Sequence, residues 1–115
     1  MATLSSHILN GADGTHAGDV SVKLINADTG DTIIESATDA DGRFSETFNL
    51  KGTNVKHRYE LIINTADYWK RKDVSSDQLI DEIVLRFSMP DADARYHKPV
   101  IIAPHSYSTW SSVAE

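Results

Sequence analysis

Four clusters of turn-forming residues divide this chain into short segments: Asn10-Gly11-Ala12-Asp13-Gly14, Asn26-Ala27-Asp28-Thr29-Gly30-Asp31, Asp39-Ala40-Asp41-Gly42 and Pro90-Asp91-Ala92-Asp93. Each supplies the Gly, Asn, Asp or Pro that turns need for positive φ, fixed φ or local side-chain capping. The segments between them tend to alternate apolar with polar residues, as half-buried strands do. Val20-Ser21-Val22-Lys23-Leu24 alternates cleanly, so Val20, Val22 and Leu24 are expected to face a core. Phe44-Ser45-Glu46-Thr47-Phe48 is a weaker case of the same pattern. Tyr59-Glu60-Leu61-Ile62-Ile63 and Ile83-Val84-Leu85-Arg86-Phe87 read as strands near the centre of a sheet. Leu4 to Asn10 forms a first strand, and Val100-Ile101-Ile102 with Ser106-Tyr107-Ser108-Thr109-Trp110 a last pair split by Pro104.

One segment departs from this pattern. Thr65-Ala66-Asp67-Tyr68-Trp69-Lys70-Arg71 offers an N-cap threonine, an early acid and late bases, which suits a helix of one to two turns. Lys70-Arg71-Lys72 is then the end of that helix, not a basic patch. Seven to eight short strands with one short helix predict an all-β sandwich. There is no internal repeat, linker or low-complexity stretch, and periodicity alone does not choose among sandwiches.

With 115 residues, 40% of them hydrophobic, the chain has room for one core, and residues 1–115 read as a single domain. The net charge of −6 and a pI near 5.2 argue against nucleic acid, since nothing would neutralise phosphates. The chain has no cysteine, which excludes disulfides, thiolate nucleophiles and cysteine-bound zinc. The first residues lack the basic region and apolar core of a signal peptide, and no apolar run is long enough to span a membrane. A cytoplasmic protein without membrane partners is the expectation.

Histidine, arginine and the hydroxyl residues remain as groups that could carry chemistry. His7 lies in the first strand, Arg43 directly follows the Asp41-Gly42 turn, and His97 follows Tyr96 at the start of a strand. His16 and His57 sit in polar, loop-like contexts, and His105 lies in a hairpin turn. A strand-end histidine is ordinarily solvated or satisfied within a core, and an arginine after a turn ordinarily faces solvent. No histidine pair has the close spacing of a local metal motif, and no Gly-x-Ser-x-Gly elbow exists. Tyr68-Trp69 reads as a helix-docking pair. The residues permit a histidine-based acid/base site without demanding one.

Read in order, these segments resemble the transthyretin-like family, and within it the 5-hydroxyisourate hydrolases. Leu4-Ser5-Ser6-His7-Ile8-Leu9-Asn10 and Gly18-Asp19-Val20-Ser21-Val22-Lys23-Leu24 are similar to that branch's first two strands. Thr38-Asp39-Ala40-Asp41-Gly42-Arg43-Phe44 is similar to its Asp-Gly-Arg turn. Tyr59-Glu60-Leu61 through Tyr68-Trp69-Lys70 resembles its strand and short helix. Tyr96-His97-Lys98-Pro99-Val100 and Ala103-Pro104-His105-Ser106-Tyr107-Ser108-Thr109 match its histidine-bearing hairpin and the lead into its last strand. The likeness runs from about residue 4 to residue 110.

That resemblance implies a transthyretin-like (prealbumin-type) antiparallel β-sandwich assembled as a homotetramer, with active sites where dimers meet. It implies hydrolysis of the cyclic amide of 5-hydroxyisourate, or of a closely related ring such as an N-methylated one, in urate degradation, with no metal or organic cofactor. The matching catalytic positions are His7, Arg43 and His97. The alternatives are a transthyretin-like carrier that binds a small molecule without turning it over, and an interaction domain with no ligand. Joint retention of both histidines favours the enzyme. The hydrolases end in Tyr-Arg-Gly-Ser, whereas this chain runs Trp110-Ser111-Ser112-Val113-Ala114-Glu115. Serine does not replace a guanidinium fork, and tryptophan keeps only an N–H donor. Trp110, Ser111 and Ser112 are therefore the expected substrate-binding and specificity positions.

Overall fold

The computed structural model describes residues 1–74 and 78–115. Nine strands and one helix lie among them. The strands are β1 (Ala2–Asn10), β2 (Ser21–Asn26), β3 (Thr32–Ala37), β4 (Arg43–Phe48), β5 (Arg58–Asn64), β6 (Glu82–Ser88), β7 (Arg95–His97), β8 (Val100–Ala103) and β9 (Ser106–Thr109). The helix α1 (Ala66–Arg71) joins β5 to the segment before β6. One sheet runs β4-β1-β8-β9 with β7 also paired to β1, and the other runs β3-β2-β5-β6. The all-β sandwich with one short helix is thus the observed architecture.

Alternation decides which side chains enter the space between the sheets. In β1, Ala2, Leu4, Ser6, Ile8 and Asn10 are buried while Thr3, Ser5, His7 and Leu9 turn to the other face. Val20, Val22 and Leu24 are buried as expected, and Leu61 and Ile63 of β5 face them across the same sheet. Each fully buried Leu or Ile in this set contributes roughly 1.5–3 kcal/mol of burial. Tyr68 and Trp69 are both buried and meet edge to face, with ring centroids 5.0 Å apart. Asn10 Nδ2 donates to the Tyr68 hydroxyl at 3.1 Å, which ties the helix to the end of β1.

Four expectations need correction. Thr65 holds the N-cap position of α1, but its side chain makes no capping hydrogen bond: its backbone is already helical and its hydroxyl donates to the Asp81 carbonyl at 3.2 Å, on the segment entering β6. The helix still carries Asp67 in its first turn and Lys70 and Arg71 in its last. β6 pairs only with β5 among the described residues, so Ile83 to Phe87 lies at a sheet edge and not near its centre. His97 closes a three-residue strand instead of opening one, because Lys98 and Pro99 separate β7 from β8. Finally, the pairing is not wholly antiparallel. The first half of β1 runs parallel to β7 and its second half parallel to β8.

Candidate active site

The strand register gathers the chemistry-bearing residues on the outward face of the β4-β1-β7-β8 sheet. Directly paired residues share a face. His7 is paired with Arg43 of β4, Ser5 with Ser45 of β4 on one side and with His97 of β7 on the other. Arg43 owes its place to the turn before it. Gly42 adopts φ +75°, and a Cβ there would collide with the Ile8 carbonyl and crowd the Ala17 backbone, so only glycine lets this turn lie against β1. The Asp39 carboxylate accepts the backbone N–H groups of Asp41 at 2.9 Å and Arg43 at 3.0 Å, which fixes the turn.

A cleft of about 210 Å³ opens on this face, with Ser5, Asp39, Arg43, Ser45 and His97 among its walls. A second hollow of about 380 Å³ adjoins it; Ser5 and His97 line both, and Arg95, Trp110, Ser112 and Glu115 complete the second. A larger hollow of about 500 Å³ lies on the other sheet, lined by Ser21, Lys23, Glu35, Ile62, Asn64 and Glu82 among others. It is broader but contains neither histidine nor arginine, and it is the exposed concavity of a twisted sheet. The smaller pair holds Arg43 and His97; His7 stands beside it, opposite Arg43, and is not among its walls.

Each histidine of the site is held by a second group. The Ser5 hydroxyl and His97 Nδ1 lie 2.8 Å apart, fixing the His97 ring. His7 Nε2 lies 3.0 Å from Nδ1 of His16, and the two rings stack with centroids 5.1 Å apart and 24° between planes. Partial burial and the neighbouring Arg43 guanidinium hold His7 below the ordinary histidine pKa, with His16 and His97 acting in the same direction. The Asp41 carbonyl beside the ring acts against them. His7 is accordingly a neutral ring near pH 7, able to take up a proton.

His16 is the residue that sequence reasoning left in a loop. Nine positions separate it from His7, and only the return of residues 10–19 along β1 brings the rings together; Leu9 and His16 form an isolated antiparallel bridge. No spacing rule carries that signal. The other two histidines stay apart from the site. His57 meets the Asn26 side chain at 3.0 Å, and His105 is exposed in the β8–β9 turn. No group of three or more His, Asp or Glu side chains arranged to hold a metal ion occurs among the described residues.

The C-terminal positions divide. Trp110 is exposed and sets its ring edge-on to His97, centroids 6.3 Å apart. Ser112 grips the backbone of His97 from both directions: its N–H donates to the His97 carbonyl at 3.0 Å, and its hydroxyl accepts the His97 N–H at 3.1 Å. Two hydrogen bonds between the backbones of Arg95 and Glu115 continue this pairing. Ser111 lines neither hollow. Its hydroxyl accepts from Lys98 Nζ at 3.2 Å, while that ammonium lies 4.1 Å from the centre of the Phe87 ring.

Comparison with known proteins gives a consistent picture. The model of the HIUase/transthyretin family matches residues 4–111. A 5-hydroxyisourate hydrolase from Deinococcus radiodurans is 34% identical over 110 residues, covering 93% of this chain and 92% of that protein. The structure of the Klebsiella pneumoniae 5-hydroxyisourate hydrolase superposes with a TM-score of 0.78 at 28% identity, over 98% of this chain and all of that one. Sea bream transthyretin, solved with thyroxine, superposes with a TM-score of 0.79 at 25% identity, covering 96% of this chain and 94% of its own.

Proposed function

This chain belongs to the HIUase/transthyretin family, and from that membership we propose that it is a hydrolase opening the cyclic amide of 5-hydroxyisourate or a closely related ring. The observation that carries this reading is the placing of two histidines and an arginine on one outward sheet face. His7 stands opposite Arg43, and His97 is one step along the same face.

Ring opening by water needs a base for the water, a cation or donor for the developing oxyanion, and an acid for the departing nitrogen. His7, held neutral, suits the first role. Arg43, with several N–H donors in a fixed plane, suits the carbonyl oxygens and the charge that grows on them. His97 suits proton delivery to nitrogen, its ring being fixed through Ser5. Acid–base help of this kind is worth about 100- to 10,000-fold in rate. Trp110 offers a flat apolar wall beside His97 on which a planar ring can rest. Ser111, where the hydrolases carry arginine, leaves this end of the chain one guanidinium short, which favours a bulkier or less charged ring.

The clefts are open on one side, and exposed Ile101 stands on the same face. A homotetramer that closes these clefts where dimers meet fits that surface, and a cytoplasmic setting fits a substrate of purine breakdown. The test is the ultraviolet decay of freshly made 5-hydroxyisourate, with and without protein. Acceleration over the spontaneous rate that falls at least 100-fold in Arg43→Ala is the expected result. Because the working form of His7 is unprotonated, activity should be full at neutral pH and decline only below the ordinary histidine value of 6.5. No acceleration for this ring or its N-methylated forms removes the hydrolase reading.

A further inference from the structure

Opening a cyclic amide with water forms one C–O bond and breaks one C–N bond. The departing nitrogen keeps the electron pair and takes one of the water's protons. The other ends on a carboxylic acid that is fully ionised at neutral pH, so each turnover releases one proton to solvent. The base that first takes up a proton therefore needs an outlet. Among the described residues His7 Nε2 is hydrogen-bonded to a second imidazole, and that imidazole is exposed.

We propose that His16 is a positioning residue for His7 and its proton outlet: it orients the His7 ring through Nε2 and passes the proton on to solvent. The proposal rests on the hydrolase reading above. With Nε2 committed to His16, Nδ1 is the remaining His7 nitrogen, and the Asp41 carbonyl beside the ring favours a proton on it. When Nδ1 takes a proton from water, the Nε2 proton can move 3.0 Å to His16 Nδ1, and Nε2 of His16 gives up its own to bulk water. His7 is returned to the neutral state as its Nδ1–H tautomer; once product leaves, loss of that proton to water in the open cleft and return of one through His16 to Nε2 restore the starting form.

The loop is built to hold this contact. Asn10 accepts the N–H groups of Ala12 and Asp13 on its side-chain oxygen, at 2.8 and 3.2 Å, and its own N–H donates to the Thr15 carbonyl at 2.8 Å. Ala17 N–H donates to the Ile8 carbonyl at 2.9 Å, and the buried Thr38 hydroxyl donates to the Ala17 carbonyl at 2.7 Å. Arg71 at the end of α1 donates to the carbonyls of Gly18 and Asp19, at 3.1 and 2.8 Å. His16 thus stands between tied points on a segment joined to β1, the helix and the Thr38 corner. The groups that act on His7 are Arg43 of β4, His97 of β7 and the backbone carbonyl of Asp41 in the preceding turn, with Asp39 in the cleft that Arg43 lines. Arg43 disfavours charge on His7, so a shared proton is driven outward to His16.

The experiment compares wild type, His16→Ala and His16→Asn in the hydroxyisourate assay, with added imidazole as a probe. Asparagine places an amide where Nδ1 stood and restores a hydrogen bond, but it cannot pass a proton. The expected result is a roughly 10- to 100-fold fall in kcat for both variants with little change in KM, and recovery of His16→Ala by imidazole in proportion to its concentration. Wild-type kcat and pH profile in His16→Ala, or full recovery in His16→Asn, overturns the outlet. A separate readout uses no substrate: ring ¹⁵N chemical shifts of His7 followed against pH. A hydrogen-bonded pair titrates as a coupled unit, and His7 alone titrates in one step. If wild type proves inactive on hydroxyisourate, the functional reading falls, and this titration still decides the pair. Identical His7 curves in wild type and His16→Ala overturn it.

Discussion

Lys98 follows the site histidine in sequence, yet its side chain turns into the sandwich, 8% exposed, beneath the Phe87 ring. Desolvation pushes its pKa below 10.5. At neutral pH folded and unfolded chains both carry the proton, and the folded state bears the whole desolvation cost. As pH rises through the lowered folded value, the folded protein sheds its proton before the unfolded chain does, and the cost is relieved, fully so above 10.5. Lys98→Met should therefore raise stability at pH 7 by about 1 kcal/mol, with the gap to wild type closing towards pH 10.5; urea unfolding across that range checks it. At this scale the sequence was partly legible. His7, Arg43 and His97 could be singled out as candidates because a family motif carries each of them locally. Lys98 was hidden since alternation says that it points away from His97 but not that Phe87 lies beneath it. His16 was hidden since its partnership is made by a loop folding back, which no period encodes.

At the scale of elements, the C-terminal segment does more than bear Trp110. Ser112 takes both backbone groups of His97, and Glu115 pairs with Arg95, so residues 112–115 act as an added strand along β7. A strand of three residues has little hold of its own and is fixed by β1 on one side and this segment on the other. Removal of residues 113–115 should leave the fold intact, lower Tm by a few degrees, and reduce kcat more than it raises KM. Thermal melts and the ultraviolet assay, read together, check this, and an unchanged kcat would make the segment a mere covering. Among the strands, β2 was legible from its clean alternation, and β1 and β5 from the turn clusters and apolar residues that mark them. β3 escaped because Thr32–Ala37 is an edge strand with only Ile34 fully buried, and β7 because three residues are too few to show a period. The missing side-chain bond at the Thr65 cap has the same origin: a buried threonine finds a tertiary partner that local rules do not see.

At the scale of the whole molecule, the outward face that holds the clefts also exposes Ile101 beside Leu9 of β1. If dimers meet across this face, Ile101→Asp should dissociate the assembly into smaller folded units, seen by light scattering, and depress activity while far-ultraviolet circular dichroism is unchanged. Retained size with Asp in place would put the contact elsewhere. The placing of β1 has a consequence for how such a molecule is made. This strand finds its parallel neighbours only in residues 95–97 and 100–102, which are made long after it. Pairings so distant in sequence are slow to close. During synthesis β1 therefore waits with one edge bare until residues 95–102 follow, and a product arrested before them leaves that edge open to other chains. Cells that make much of this protein have reason to shelter β1 until those residues arrive.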